Sequence, residues 1–324
     1  MILILSEEND VSTGYVMDWL AHYNMPCIRI NEKAFIQDIY IQLSSHGNHE
    51  CIIQFGSQKV NLSEIESFWF RRGGIGFGLT VNAGFNEQLI EEINKHLKEE
   101  CQTIEQFLIY LLKTKKTLGD IFQRNANKLI SLFIAQKSGL QIPATIVSTE
   151  KENLCDFFEN QTGCITKFIQ DVFLADIENK RYFSTTSLVE KQDILEMQNR
   201  FFPSQLQANV PKRYELRIFY LKGTCYSMAI FSQEDAQTQV DFRNYNHKKP
   251  NRNVPYNLPD VIENRIDTFM KSMNLDTGSI DMILTPDLEY VFLEVNPVGQ
   301  YDMVSVPCNY YLDKEIAKYF KNGE

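Results

Sequence analysis

The chain opens on Met1-Ile2-Leu3-Ile4-Leu5, an unbroken apolar run of strand length, and turns polar from Ser6 to Thr13. Met17, Leu20 and Ala21 then recur at helical spacing, with Ser12 or Thr13 as the expected N-cap. Cys27-Ile28-Arg29-Ile30 reads as a second strand. Strand, polar loop, helix and strand together predict a Rossmann-like α/β start. A hairpin is expected over 51–55 and 58–62 around Gly56-Ser57, followed by a strand from Ile65 to Arg71 that ends in Trp69-Phe70-Arg71-Arg72. Gly73 to Gly78 is expected to be a mobile glycine-rich loop, and residues 86–112 a long helix. Thr117-Leu118-Gly119-Asp120 has the composition of a domain boundary.

Beyond it, 125–138 reads as a helix stopped by Gly139 before Ile142-Pro143. Short strands are expected at 144–149, 164–169, 171–176 and 180–186, the last two joined as a hairpin by Glu178-Asn179-Lys180. A helix over 188–200 follows, then strands at 214–221 and 224–231, a polar stretch at 232–257 and a helix at 259–273. Strands at 279–284 and 289–295 and a last helix at 310–321 complete the pattern, which contains no internal repeat.

Composition narrows the classes. Hydrophobic residues make up 44% and charged residues 23% of 324, as in an ordinary globular protein. A net charge of −10 with no Lys/Arg block argues against a nucleic-acid partner. Seven scattered cysteines without a CxxC fit reduced thiols in a cytoplasmic protein. The opening run is too short for a signal segment, and no apolar stretch reaches the roughly 20 residues of a membrane helix. The expected protein is therefore soluble and cytoplasmic, with no membrane partner.

The chemistry begins at Val291-Phe292-Leu293-Glu294-Val295-Asn296-Pro297, an apolar strand carrying oxygen-bearing side chains two residues apart, hence on one face. Asp281 is the one charge in Ser279-Ile280-Asp281-Met282-Ile283, and the turn-forming Thr285-Pro286-Asp287-Leu288 predicts that the two runs pair antiparallel. Asp281, Glu294 and Asn296 would then form a hard, all-oxygen set suited to Mg²⁺ beside nucleotide phosphates; a solvated strand face with incidental acids is the plainer reading. Lys128, at the start of a helix, and Lys167, in an otherwise nearly uncharged strand, are candidate phosphate partners. Glu215 and Arg217 share one strand face in Tyr214-Glu215-Leu216-Arg217, and Arg217 can hold a γ-phosphate or an acyl phosphate with two hydrogen bonds. There is no Walker A motif. Gly74, Gly76 and Gly78 open no helix and do not make a dinucleotide fingerprint, and His46 and His49 fall in a polar surface loop.

The order of lysine helix, Gly-Leu-Gln-Ile-Pro-Ala-Thr, strand lysine, Gln-Ala-Asn-Val hinge, Glu-x-Arg strand, then Asp and Glu-x-Asn resembles the ATP-grasp superfamily over about residues 120–300. Asn125–Lys128 through Thr145, Leu293–Gln300, Trp69–Arg72 and Val240–Tyr245 are more specifically similar to the ATP-grasp peptide maturases, the microviridin-type and grasp-with-spasm macrocyclases or graspetide synthetases. With the Rossmann-like start, the similarity spans nearly the whole chain.

The resemblance implies an α/β (α+β) ATP-grasp fold with an N-terminal Rossmann-like pre-ATP-grasp domain at 1–118. A central subdomain with a leader-binding hairpin would occupy 119–206, and a metal-bearing C-terminal subdomain 207–324. It implies ATP and Mg²⁺ as cofactors. Lys128 and Lys167 would hold phosphates, with Gln207, Ala208, Asn209 and Val210 at adenine and Glu215 in the same nucleotide site. Asp281, Glu294 and Asn296 would hold the metal. Arg217 and Arg243 would stabilise the transferring phosphoryl group, and Asp241 is the candidate general base. The hinge Gln-Ala-Asn-Val lacks the acidic residue that many relatives carry. Arg71 and Arg72 are candidates for holding an acidic core peptide, and Phe173, Leu174, Tyr182 and Phe183 for docking its leader.

The implied partner is a ribosomal precursor peptide. Its Asp/Glu side chains would be joined to Ser/Thr hydroxyls as ω-esters, the expected product, or to Lys amines as ω-amides, by a homodimeric enzyme. Two other readings remain open at this point: a glutamate or small-peptide ligase acting on free amino acids, and a non-catalytic ATP- or peptide-binding module.

Overall fold

The structure is a computed structural model that describes the chain apart from residues 32, 33, 48, 83, 85, 171–173, 179, 184, 185, 234–249, 323 and 324. Its contacts divide it into two compact units, residues 1–124 with 311–324, and residues 125–310.

In the first unit β1 (Ile2–Ser6), α1 (Val11–His22) and β2 (Cys27–Asn31) follow the expected order. The next strands are β3 (Asp38–Gln42), β4 (Glu50–Phe55), β5 (Gln58–Asn61) and β6 (Ser67–Phe70), then α2 (Glu87–Lys113) and β7 (Lys116–Leu118). A parallel sheet has the order β2-β1-β6-β7. Every residue of β1 is buried, which is why its sequence is continuously apolar rather than alternating. The cap of α1 is Asp10, not Ser12 or Thr13: its carboxylate accepts the Thr13 N–H at 3.4 Å, and both hydroxyl residues are buried inside the helix. The expected hairpin gains a third strand, as β3-β4-β5.

The loop from Gly73 to Gly78 is pinned to its neighbours at its second half. Ile36 N–H donates to Gly76 O at 2.9 Å, Phe77 N–H donates to the Glu105 carboxylate, and the Phe35 ring lies against Gly78. Ile75 is buried.

The second unit runs α3 (Lys128–Lys137), β8 (Thr145–Glu150), α4 (Lys151–Glu159), β9 (Cys164–Thr166), β10 (Leu174–Ile177), β11 (Lys180–Phe183), β12 (Ser187–Val189), α5 (Lys191–Glu196) and β13 (Arg200–Ala208). It continues as β14 (Tyr214–Leu221), β15 (Thr224–Phe231), β16 (Arg252–Tyr256), α6 (Asp260–Ser272), β17 (Thr277–Leu284), β18 (Tyr290–Asn296) and α7 (Asp302–Cys308). The last helix, α8 (Leu312–Lys321), returns to the first unit and packs on α1.

The single helix expected over 188–200 is replaced by β12, one and a half turns of α5, and the start of β13. A reciprocal cap between Glu190 and Asp193 starts α5 late, and Pro203, which has no N–H, excludes helix beyond it. The β8–β13 register slips between Arg200 and Ser204, around that proline.

Two antiparallel sheets frame the second unit, β12-β9-β13-β8 and β16-β15-β14-β17-β18. One face of the five-stranded sheet carries Leu216, Ile218, Ile280, Met282, Phe292 and Val295 into a core shared with Leu132 of α3 and Ile266, Phe269 and Met270 of α6. Phe269 and Phe292 meet at 4.8 Å between ring centroids. The strand period of two therefore sends Glu215, Arg217 and Asp281 to the opposite face. Among the described residues no helix is long and apolar enough to cross a membrane.

Candidate active site

That opposite face borders a solvent-open cleft. Its lining includes Ile165, Lys167, Thr186, Gln207 to Val210, Lys212, Glu215, Asp281, Ile283, Leu293 and Glu294.

The acidic wall comes from the β17–β18 ribbon. Asp281 pairs directly with Glu294, and Ser279 with Asn296. Beyond Asp281 the ladder shifts: Met282 pairs with Phe292, so Leu293 is an extra residue in β18 at that point. This β-bulge reconciles two demands. Phe292 and Val295 lie three residues apart and both belong to the core, which a regular strand forbids. The bulge also turns both Leu293 and Glu294 into the cleft.

Asn296 is on the same face but is not among the lining residues; its side-chain oxygen accepts the Val298 N–H at 3.1 Å. A turn closed by Gly299 N–H on Asn296 O follows, and Gly299 lies so close to Ser279 that a Cβ there would stand 2.4 Å from the serine's Cβ and Oγ.

Each carboxylate has a cation. Arg217, opposite Asp281 across β14–β17, places Nη1 2.7 Å from both Asp281 oxygens, while its buried Nε has no partner among the described residues. Lys128 Nζ lies 3.7 Å from Glu294 Oε2. Lys128 is the first residue of α3, where the helix dipole disfavours a cation, and Glu294 offsets that penalty. Lys212 Nζ lies 2.6 Å from Glu215 Oε1. Burial pushes the Glu215 carboxyl above its ordinary value, against the opposing pull of Lys212 and Ser232. Buried ion pairs are weak stabilisers, since desolvation offsets most of their attraction, so the two buried pairs, Arg217–Asp281 and Lys212–Glu215, point to chemistry rather than folding.

At the hinge, Gln207 is buried and its amide donates to the Thr145 hydroxyl at 2.9 Å. Ala208 and Asn209 N–H groups donate to Ala144 O and Gly163 O. Among the described residues Val210 N–H donates to no backbone carbonyl. β9 ends at Thr166, so Lys167 projects from just beyond the strand rather than from within it.

Other expected residues are not among those that line this cleft. In the first unit Arg71 is buried with its Nε 3.0 Å from Asp10 Oδ2, and Arg72 lies 3.6 Å from both Asp10 and Glu7. Tyr182 and Phe183 are exposed on the β10–β11 hairpin, where Leu174 pairs with Phe183. Phe173, Asp241 and Arg243 lie outside the described residues.

Reading the sequence alone missed Lys212, Ser232 and the bulge residue Leu293. The odd separation of Phe292 and Val295 was the available signal for the bulge; Ser232 had none. For Lys212 the three-residue spacing to Glu215 at a strand start was a weak signal.

Comparisons with known proteins agree with this geometry. The family model described as the MvdD pre-ATP grasp domain matches residues 1–123. Macrocyclase MdnC from Microcystis aeruginosa MRC, solved bound with precursor peptide MdnA, is 30% identical with a TM-score of 0.78, covering 98% of both chains. A RiPP-associated ATP-grasp ligase from Chryseobacterium gregarium, solved with ADP and a leader and core peptide, is 25% identical with a TM-score of 0.80 over 98% of this chain and 94% of that one. Macrocyclase MdnB from Microcystis aeruginosa MRC shares the fold at 23% identity, with a TM-score of 0.73 over 99% of both chains. A comparison with curated protein sequences finds no match. Fold and cleft define an ATP-grasp ligase. Within that class, the chain belongs to the family of ATP-grasp peptide macrocyclases.

Proposed function

We propose that the chain activates Asp or Glu side-chain carboxylates of a ribosomal precursor peptide with ATP and joins them to Ser/Thr hydroxyls or Lys amines, closing macrocycles. The observation that carries this is the single cleft wall on which Asp281 and Glu294 face each other while Arg217 and Lys128 reach the same two carboxylates. A carboxylate is a poor electrophile. Its oxygen attacks the γ-phosphorus, ADP leaves, and the resulting acyl phosphate is open to attack by a hydroxyl or amine, which loses its proton as phosphate departs. Two anions must approach in the first step, so charge neutralisation and alignment dominate catalysis.

The residues present fit that task. Ile165, Val210, Ile283 and Leu293 offer apolar walls for a base beside the hinge, and Glu215 lines the same cleft. Lys167, Lys128 and Arg217 supply positive charge for phosphates. The opposed oxygens of Asp281 and Glu294, with Asn296 on the same face, suit Mg²⁺, which when bound neutralises phosphate charge. Arg243 and Asp241 remain candidates for phosphoryl stabilisation and for the general base. Arg71 and Arg72 remain candidates for the acidic core peptide. The exposed rings of Tyr182 and Phe183, with Phe173 and Leu174, are assigned to the leader, and the enzyme is assigned as a homodimer.

The test is incubation with ATP, Mg²⁺ and the precursor peptide encoded beside the gene, read by mass spectrometry. Loss of one water per ring without added mass is expected. Mass gain from an appended amino acid would instead support a ligase of free amino acids.

A further inference from the structure

The carboxyl edge of the first unit's sheet carries a set of charges that the phosphoryl chemistry leaves unused. In the order β2-β1-β6-β7 the chain passes from β1 to β2 on one side, whereas β6 lies on the other, so the strand order reverses between β1 and β6. Ligands of open parallel sheets sit outside the carboxyl ends of the strands at such a point. Arg71 and Arg72 stand there, because both of their backbone N–H groups donate to Leu5 O of β1, at 2.9 and 3.1 Å. Two carboxylates of the β1–α1 loop face them. Asp10 is fixed: its side chain is only 5% exposed, Oδ2 lies 3.0 Å from Arg71 Nε, and Oδ1 accepts from the Ser12 hydroxyl and the Thr13 N–H. Glu7 is held loosely: its side chain is 41% exposed, and Oε2 lies 3.6 Å from Arg72 Nη1, too far for a hydrogen bond. The loop backbone beneath Glu7 is nonetheless anchored, since Arg29 Nη2 donates to the carbonyls of Glu7, Glu8 and Asp10.

We propose that Glu7 is a displaceable counter-ion of Arg72: an acidic side chain of the precursor peptide takes its place, while Asp10 keeps Arg71 in position. This rests on the reading of Arg71 and Arg72 as the site of the acidic core peptide. An exposed ion pair holds little free energy, so giving it up costs little. A guanidinium fork accommodates a carboxylate through two parallel hydrogen bonds, a geometry that Glu7 does not reach and an incoming carboxylate can. The exchange also sets specificity, because a neutral side chain cannot replace the pair it would break. Only side chains swing, since the arginine backbone is bound to β1 and the loop backbone to Arg29.

The test measures binding of the precursor peptide encoded beside the gene to the full chain by fluorescence anisotropy, and its KM and kcat at saturating ATP and Mg²⁺. Wild type, Glu7→Gln, Arg72→Gln and the double variant are compared, with thermal unfolding as the check on folding. A second precursor, whose core Asp and Glu are replaced by Asn and Gln, is used for binding alone. Glu7→Gln should bind the native precursor about two- to fivefold more tightly, the worth of an exposed ion pair, and the change should fall on KM rather than kcat. Arg72→Gln should bind it more weakly, and adding Glu7→Gln to that background should bring no gain. The neutralised precursor should not distinguish Glu7→Gln from wild type. If Arg72→Gln does not fold, that comparison decides. Unchanged or weaker binding of the native precursor by Glu7→Gln overturns the inference, as does an equal gain with the neutralised precursor or in the absence of Arg72. Where Arg72→Gln still weakens the native precursor, the arginine reading survives that failure. If Arg72→Gln binds both precursors as the wild type does, the arginine reading falls and takes the inference with it.

Discussion

Glu294 is held by two opposing pulls. It faces Asp281 across the ribbon, a repulsive neighbour, and Lys128 at 3.7 Å supplies the counter-charge. Because Arg217 already neutralises Asp281, removing Glu294 leaves no carboxylate stranded and should spare the fold. Glu294→Ala is expected to lower ADP release in the presence of the precursor by about 10²–10³-fold or more, with an unchanged circular dichroism spectrum. An active Glu294→Ala would undo the metal assignment.

Glu105 is a residue of a different kind. Burial raises its carboxyl above the ordinary 4.5, and the Phe77 N–H pulls it partly back. The folded state therefore holds this proton more tightly than the unfolded one. Its stabilising contribution is complete below the ordinary value and is lost as pH rises through the raised one. Glu105→Gln keeps an acceptor for Phe77 without the charge. In scanning calorimetry the wild type should lose Tm relative to this variant as pH climbs from about 4.5 towards neutrality. Parallel curves would mean that Glu105 does not titrate in the native loop.

At the level of elements, the β17–β18 ribbon and the turn after it determine where the acidic wall stands. Gly299 is the tightest point, with Ser279 below it and Asn296 O 3.0 Å from any added Cβ. Gly299→Ala must push the turn off the sheet, since both obstacles are backbone or the base of a side chain. A loss of about 1–3 kcal/mol is expected by denaturant unfolding, together with weaker Mn²⁺ binding by electron paramagnetic resonance. Unchanged values for both would show that the turn can relax without cost.

The same ribbon shows how sequence pattern and register divide the work. Alternation along Tyr214–Leu221 and Ser279–Ile283 already separates charged from apolar positions. The pairing of Asp281 with Glu294, however, depends on a bulge that only the competing demands of Phe292 and Val295 on the core require. Local pattern misled over 188–200, where helix-favouring residues run into Pro203 and a strand partner lies some fifty residues upstream in β8.

Taken whole, the chain is two compact units, and its last helix belongs with its first residues. Leu312, Ile316 and Phe320 of α8 are buried, Trp19 donates to Asp313, and Trp69 lies 6.3 Å from Phe320. Both tryptophans of the chain therefore report on this one unit. Burying each large apolar side chain contributes about 1.5–3 kcal/mol, so three of them rival the whole stability of a domain, about 5–15 kcal/mol. Deleting residues 311–324 should abolish or sharply lower the tryptophan-detected unfolding midpoint. A midpoint equal to that of the full chain would show that α8 is dispensable to the unit.

Hydrophobic period, the glycine and proline positions and a few isolated charges were enough to predict the Rossmann-like start and to single out Asp281, Glu294, Glu215, Arg217, Lys128 and Lys167, while the ATP-grasp fold came from the resemblance. These are local signals: side-chain direction repeats every two residues in a strand, and a charge in an apolar run is costly wherever the run is buried. The return of α8 to α1, the burial of Arg71 against Asp10, the pinning of Gly76–Gly78 and the convergence of Lys212 and Ser232 on one oxygen of Glu215 were beyond that reach. Each joins positions through packing and register rather than through spacing, and those arise only when the chain has closed on itself.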